Sequence, residues 1–389
     1  MYNILVLSLL ILFGEGGRIS LYDFLCNNKG EFLKRITRIK IVYKSPLRDT
    51  ILNLDELIEH GFIPVIDPTT PDSLAGQGAN AFLAEYGGVV EEVALVCKKE
   101  DGLVTFRSGA APSDRNYENF FTDFTELAND LGMKTHAFSY AFGDSYLGSD
   151  PNYSIGRSDG TLITTYVDPS MDGYWKHLSQ ISREVARKPI RSLILQEFLF
   201  PRQEFSFSKR AVRKFAELSG VSLDTSYLDI QKDPSIQRMF EDWRSDLISS
   251  AFRQTVENAR SERPSLDIGM VVPVDPETEW HEGFVRHYGI NLDRIIEICG
   301  YVIYHIMPYS PMYPEPGSPS WDTLVQALRS STLYEESGYK KALFVWGLDA
   351  EDDISWLTTL KQEVKADKIF ARLEYPEKYS VKREIHRGV

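Results

Sequence analysis

RSLILQEFLFPR, residues 191 to 202, reads as a buried strand that ends in a carboxylate beside an amide and then stops at a proline. Leu193, Ile194 and Leu195 form an apolar run suited to a strand covered on both faces, and Gln196 and Glu197 follow at its carboxyl end. On an unassigned strand a lone glutamate would simply pair with an arginine such as Arg202. Its meaning depends on where the strand falls in the chain.

Outward from this stretch the pattern is regular. Strand-like runs occur at residues 62–67, 90–96, 134–142, 191–198, 266–272, 300–306, 341–346 and 368–373. Helical patterns fill most intervals: Asn119 to Leu131, Trp175 to Val185, Arg210 to Leu218, Asp242 to Arg260 and Ser355 to Val364. Eight strands alternating with helices predict an α/β fold, a (β/α)8 TIM barrel. A doubly wound sheet would carry a glycine-rich phosphate turn after its first strand, where this chain has DPTTPDSL. RSLILQEF is then the fourth strand, and in such barrels the carboxyl ends of the strands carry the chemistry. Residues 1–60 read as an N-terminal extension packing on the barrel and 61–389 as the catalytic-type domain, with no Pro- or Ser-rich linker between them. The longest interruptions, Gly143 to Thr165, Pro201 to Asp242 and Pro308 to Ser320, follow the third, fourth and sixth strands and so fall on the functional face.

With 389 residues, 43% of them hydrophobic, the chain can build one large barrel or two ordinary domains. A formal net charge of −13 argues against nucleic acid or an anionic membrane surface as partner and favours neutral substrates. Cys26, Cys97 and Cys299 are odd in number and scattered, which fits neither a disulfide framework nor a zinc site. The apolar stretch Ile4 to Phe13 has the length of a signal-peptide core but lacks a basic flank and a clear cleavage site, and a membrane span would need about 20 apolar residues. The reading leans towards a cytoplasmic chain without a membrane span. No GxSxG, HExxH or Walker A sequence is present, and no cofactor is expected.

KKEDGLVTFRS after the second strand, GMKTHAFSYAF, YVDPS, LQEFLFPR, the helix beginning EDWRSDLISS, IYHIMPYSP and ALFVWGLDAEDD follow one another in an order that resembles the uncharacterised glycosyl-hydrolase-like TIM-barrel proteins. The resemblance covers about Gly61 to Leu373 and implies a barrel acting on saccharides. Gln196 and Glu197 stand where that family has two aspartates. Asp168 falls on its DP element, which shapes a loop, and Arg244 in DWRSD is expected to anchor its helix by pairing with Asp242 or Asp246.

Glycoside cleavage needs two carboxylates flanking one bond, about 5–5.5 Å apart for retention and about 6.5–9.5 Å for inversion. Glu197 therefore needs a partner. Asp275 after the fifth strand and Asp349 after the seventh rank level, each with a turn- or helix-capping role as the plain alternative, and Glu279, Asp67 and Glu374 rank behind them. Sugar rings pack their C–H faces on aromatic planes, and eight aromatics fall at the expected mouth: Tyr140, Phe142, Phe198, Phe200, Tyr304, Tyr309, Tyr313 and Trp346. The substrate-binding set is Asp67, His136, Tyr140, Gln196, His305, Tyr309, Trp346 and Glu374. The carboxylates of Asp67, Glu197 and Asp275 match no metal cage, so no metal is expected. Three readings follow: a glycoside hydrolase on an oligo- or polysaccharide, a carbohydrate-binding barrel without catalysis, and a metal-assisted deacetylase or lyase on the same fold.

Overall fold

The computed structural model describes residues 54–69, 78–222, 227–274, 283–306, 314–330, 339–346 and 351–372. The first 53 residues, with the Ile4 to Phe13 stretch, lie outside them, as do Asp275, Glu279, Tyr309, Tyr313, Asp349 and Glu374. The unit that carries the barrel runs from Ile51 to Val389.

Eight parallel strands close into a barrel. They are Ile63–Ile66, Glu92–Lys98, Lys134–Tyr140, Ser192–Gln196, Asp267–Pro273, Tyr301–Ile306, Lys340–Trp346 and Lys368–Arg372, and they correspond one to one with the eight runs read from the sequence. Closure comes from the first strand, which pairs Ile63 with Phe370 of the eighth on one side and Val65 with Ala94 of the second on the other.

Side chains alternate between two cores. Val65, Ala94, Val96, Phe138, Ile194, Val271, Ile303, Phe344 and Phe370 fill the barrel interior. The intervening residues, such as Leu95, Leu193, Met270, Val302 and Leu343, join a larger cluster with the apolar faces of the helices. Both faces of the sheet are thus dry, which is why these strands read as continuous apolar runs. The helices begin and end where local chemistry satisfies their free backbone groups. Ser208 accepts from the Ala211 N–H to start Lys209–Ser219, and Gly220 at φ 73° closes it. Asp233 with Pro234 starts the long helix Pro234–Glu262. That helix packs along Asp172–Ala186, and among the described residues no helix is long and apolar enough to cross a membrane.

An antiparallel hairpin, Ser154–Gly156 with Leu162–Val167, is inserted after the third strand. Arg244 does not pair with Asp242 or Asp246. It is buried in the long helix, donates to the carbonyls of Arg202, Arg286 and His287, and lies 4.4 Å from the centre of the Phe200 ring. Burial brings its pKa down to about 9. Its role is to tie the loop after the fourth strand to the segment Phe284–Tyr288, and Asp246 pairs instead with Arg294. Asp168 is buried and accepts from the Ser170 N–H at 2.9 Å and the Ser208 hydroxyl at 3.0 Å, fixing the loop that carries the DP element.

The amino-terminal end of the barrel is closed by a charged cluster. Glu92 accepts from Lys134 at 3.0 Å, from His136 Nε2 at 3.1 Å and from Lys368, while His136 Nδ1 lies 2.7 Å from the Ser192 hydroxyl. The His136 bond, with help from the two lysines, outweighs burial and holds the Glu92 carboxyl well below the usual carboxylate range. A depressed folded pKa means stability present above the unfolded value of about 4.3 and lost as pH falls through it towards the folded pKa. Burial also lowers the His136 pKa, and charging it at low pH acts in the same direction. Urea unfolding of Glu92→Gln is therefore expected to show a deficit at pH 7 that narrows steadily towards pH 3. An equal deficit at both pH values would remove Glu92 from this role.

Candidate active site at the barrel mouth

Alternation along the strands places Asp67, Tyr140, Gln196, His305, Trp346 and Arg372 at the interior positions nearest the carboxyl ends. Arg372 organises this layer. It donates to Asp67 Oδ2 at 2.8 Å and to the Tyr140 hydroxyl at 3.4 Å, and its guanidinium lies 4.8 Å from the centre of the Trp346 ring. Asp67 also accepts from the Thr69 N–H and hydroxyl through Oδ1, so it serves as a brace between the first and eighth strands. Burial raises the Tyr140 pKa; Arg372 opposes this, and the carboxylates of Glu197, Glu100 and Asp67 add to it.

Glu197 departs from the alternation. Its φ is 54°, in the left-handed region that costs a non-glycine residue roughly 1–3 kcal/mol. The strand ends at Gln196 and the backbone turns, so the half-buried Glu197 side chain leaves the outer face that simple alternation would assign it. Its carboxylate lies over Gly143, where any Cβ would overlap Oε2, and the same point is 3.7 Å from the Tyr140 ring. The turn is held from outside. The Glu197 carbonyl accepts from the Phe142 N–H at 3.2 Å and from the Tyr166 hydroxyl at 3.0 Å, and that hydroxyl also reaches the Leu199 carbonyl at 2.7 Å. Tyr166 comes from the inserted hairpin. Tyr166→Phe is expected to lower stability by about 1–3 kcal/mol, because two buried carbonyls lose their shared donor. Chemical denaturation checks this, and a shift below about 0.5 kcal/mol would show the bond is dispensable.

Beneath Gly143 lies a buried ion pair. Lys98, at the end of the second strand, is 3.1 Å from Asp144, and both side chains are almost completely excluded from solvent. Lys98 also donates to the Ala141 and Gly143 carbonyls. Asp144 accepts from the Tyr174 hydroxyl at 2.8 Å and from the Leu147 N–H at 2.9 Å. Burial alone would raise the Asp144 pKa, but Lys98 and these two donors bring it below the usual value.

The structure brings together Asp67, Tyr140, Gln196, Glu197, His305 and Trp346 from the residues singled out in the sequence. His305 stacks 4.9 Å from Phe344, burial lowers its pKa to about 4, and its Nε2 is buried with no hydrogen-bond partner. The imidazole is therefore neutral at pH 7. His136 belongs elsewhere: it faces the interior, but at the opposite, amino-terminal end of the barrel, committed to Glu92 and Ser192. The aromatic set divides as well. Phe142, Phe198, Phe200 and Tyr304 point into the core between barrel and helices, and Tyr140 and Trp346 alone of the described members face the interior. Lys98, Tyr166 and Arg372 are residues at or beneath the mouth that the sequence does not single out. Among the described residues no three His, Cys, Asp or Glu side chains gather as a metal site would require.

The fold is a closed parallel (β/α)8 barrel. Solved structures that share it include the glycoside hydrolase domain of PgaB (BpsB) from Bordetella bronchiseptica, with a TM-score of 0.62 at 12% identity, covering 84% of this chain and 96% of that one. The catalytic domain of a β-amylase from Paenibacillus polymyxa superposes with a TM-score of 0.55 at 12% identity over 80% of this chain and 92% of its own. A β-galactosidase from the psychrophilic Marinomonas ef1 gives 0.52 at 12% identity, covering 80% of this chain and 53% of that one. No protein-family model and no curated protein matches the sequence. At this level of identity the likeness is one of fold.

Proposed function

We propose that the protein is a glycoside hydrolase acting on an oligo- or polysaccharide, with Glu197 as general acid/base. The observation that carries this reading is the left-handed backbone at Glu197, a strained conformation held by Phe142 and Tyr166 that sets a carboxylate over Gly143 beside Tyr140. Strain of this kind needs a return, and a positioned acid at a barrel mouth is one. His305, Gln196 and Trp346 supply hydroxyl partners and an aromatic plane, and the net charge of −13 suits a neutral substrate.

Asp275 and Asp349 remain proposed partners for Glu197, with Glu279 and Glu374 behind them. Asp67 is less suited, being occupied by Arg372 and Thr69. The binding-only reading draws on Gln196, an amide at the interior position next to Glu197. Release of reducing ends or aryl alcohol from a panel of polysaccharides and aryl glycosides separates the two. Hydrolysis that depends on Glu197 supports the enzyme, and saccharide binding without any hydrolysis supports the binding barrel.

A further inference from the structure

The loops after the second and third strands, together with the start of the helix Asp172–Ala186, border an open cavity of about 440 Å³. Its wall is formed by Pro112, Tyr146, Leu147, Tyr153, Gly173 and His177. We propose that this cavity is an accessory binding site for a neutral pyranose ring, on the same face as Glu197 but outside the barrel mouth. The ligand class rests on the saccharide reading above; the site itself does not depend on Glu197.

Charge gives the first argument. Three other surface cavities among the described residues each carry two arginines: Arg238 and Arg286, Arg183 and Arg187, Arg253 and Arg260. No aspartate, glutamate, lysine or arginine lines this one. On a chain where a quarter of the residues are charged, such a surface offers no carboxylate, ammonium or guanidinium to pair with an ionic ligand, which suits a neutral one. The volume falls within the roughly 300–1,000 Å³ of small-molecule sites.

Aromatic presentation gives the second. Tyr146 is 55% exposed, yet its backbone is fixed: its N–H donates to the Asp101 carbonyl at 3.0 Å and its carbonyl accepts from the Ser149 hydroxyl at 2.8 Å. A large ring held in solvent by a rigid turn is available for stacking against sugar C–H groups. Tyr153 is half-buried beside it, with its carbonyl accepting from the Asp168 N–H at 2.8 Å. His177 lies with its ring 5.4 Å from that of Tyr174, and burial, with the nearby Lys98 charge, lowers its pKa. A neutral imidazole offers one donor and one acceptor, which matches a pair of neighbouring hydroxyls. Behind it Tyr174 is immobilised by Asp144 and the Ala141 carbonyl.

Gly173 provides the test, because a Cβ there meets nothing within 4 Å and its backbone is helical. Gly173→Phe therefore sets a large ring on the cavity wall with no clash at Cβ and no backbone strain. Cellohexaose, mannohexaose and maltohexaose are titrated calorimetrically into the full-length wild type, Gly173→Phe, Tyr146→Ala and Glu197→Gln. At least one hexaose is expected to bind wild type and Glu197→Gln alike, about 10-fold or more weakly to Gly173→Phe, and several-fold more weakly to Tyr146→Ala. Aryl monoglycoside hydrolysis, which needs only the mouth, should be unchanged in both cavity variants. Equal hexaose affinity in wild type and both cavity variants overturns the accessory site and leaves the Glu197 reading standing. Failure of all three hexaoses to bind wild type at millimolar concentration also overturns it. Binding sensitive to Gly173 or Tyr146 in a chain with no hydrolytic activity sinks the catalytic reading alone.

Discussion

With Glu197 as the proposed general acid/base, Glu197→Gln is expected to leave the barrel folded and to lower glycoside hydrolysis by about 10²-fold or more, since a positioned general acid/base typically contributes 10²–10⁴-fold. Glutamine keeps the shape of the side chain over Gly143 and loses only the exchangeable proton and the charge. Substrate affinity should therefore survive while turnover falls, the signature of an interaction made in the transition state. Aryl glycosides with good leaving groups need less protonation and should lose less in the first chemical step than native saccharides. Undiminished hydrolysis in this variant would end the assignment of Glu197. A loss that tracked a lower melting temperature would place the residue among the structural ones instead.

Lys98→Met is the change expected to cost the most stability, about 3–5 kcal/mol, because it strands the Asp144 carboxylate in a site without solvent. The pH dependence gives the sharper test. In wild type the folded pKa of Asp144 is depressed, so its contribution is present above the unfolded value of about 3.9 and fades as pH falls through it. With Lys98 gone, burial is left to dominate and the folded pKa moves up. The variant then gains on wild type as pH falls from 7 to 4, and Asp144→Asn in the Lys98→Met background should restore part of the loss at pH 7. Denaturant unfolding at the two pH values reads this directly. A deficit that does not change with pH would mean that Asp144 is already neutral in the fold.

The barrel is legible in the sequence because a strand covered on both faces leaves an uninterrupted apolar run, and eight such runs stand in register with helical intervals. What the run does not display is phase. Tyr304 and His305 are neighbours, and only the count back through Ile303 and Tyr301 shows that the histidine faces inward and the tyrosine outward. Position along the strand matters equally: His136 has the interior phase but sits third from the amino end of its strand, far from the mouth. Arg372 closes the same interior stripe as Phe370, and a charge in phase with such a stripe at a carboxyl end was a readable signal, whereas Lys98 is taken out of the Val96 stripe by a register shift that sets it opposite Ser139. Phe142, Phe198 and Phe200 follow strand ends in sequence yet turn beneath the helices, because once the strand stops the period of two no longer governs direction. The hairpin was marked as well, by Asp159-Gly160 between SIGR and TLITTYV, with Gly160 at φ 85°. The left-handed turn at Glu197 had no such marker, since neither glutamate nor the phenylalanine after it favours that conformation.

The bond from Arg372 to Asp67 joins the last barrel strand to the loop after the first, 305 positions earlier in the chain. A ribosome releases Asp67 first, so the nascent polypeptide carries Asp67, Tyr140, Glu197 and Trp346 before the guanidinium that braces two of them and lies over the ring of a third. Until the eighth strand docks, the mouth has its carboxylates but not the arginine that frames them. A chain stopped short of residue 372 would lack both the eighth strand that closes the circle and the guanidinium that holds Asp67 and Tyr140.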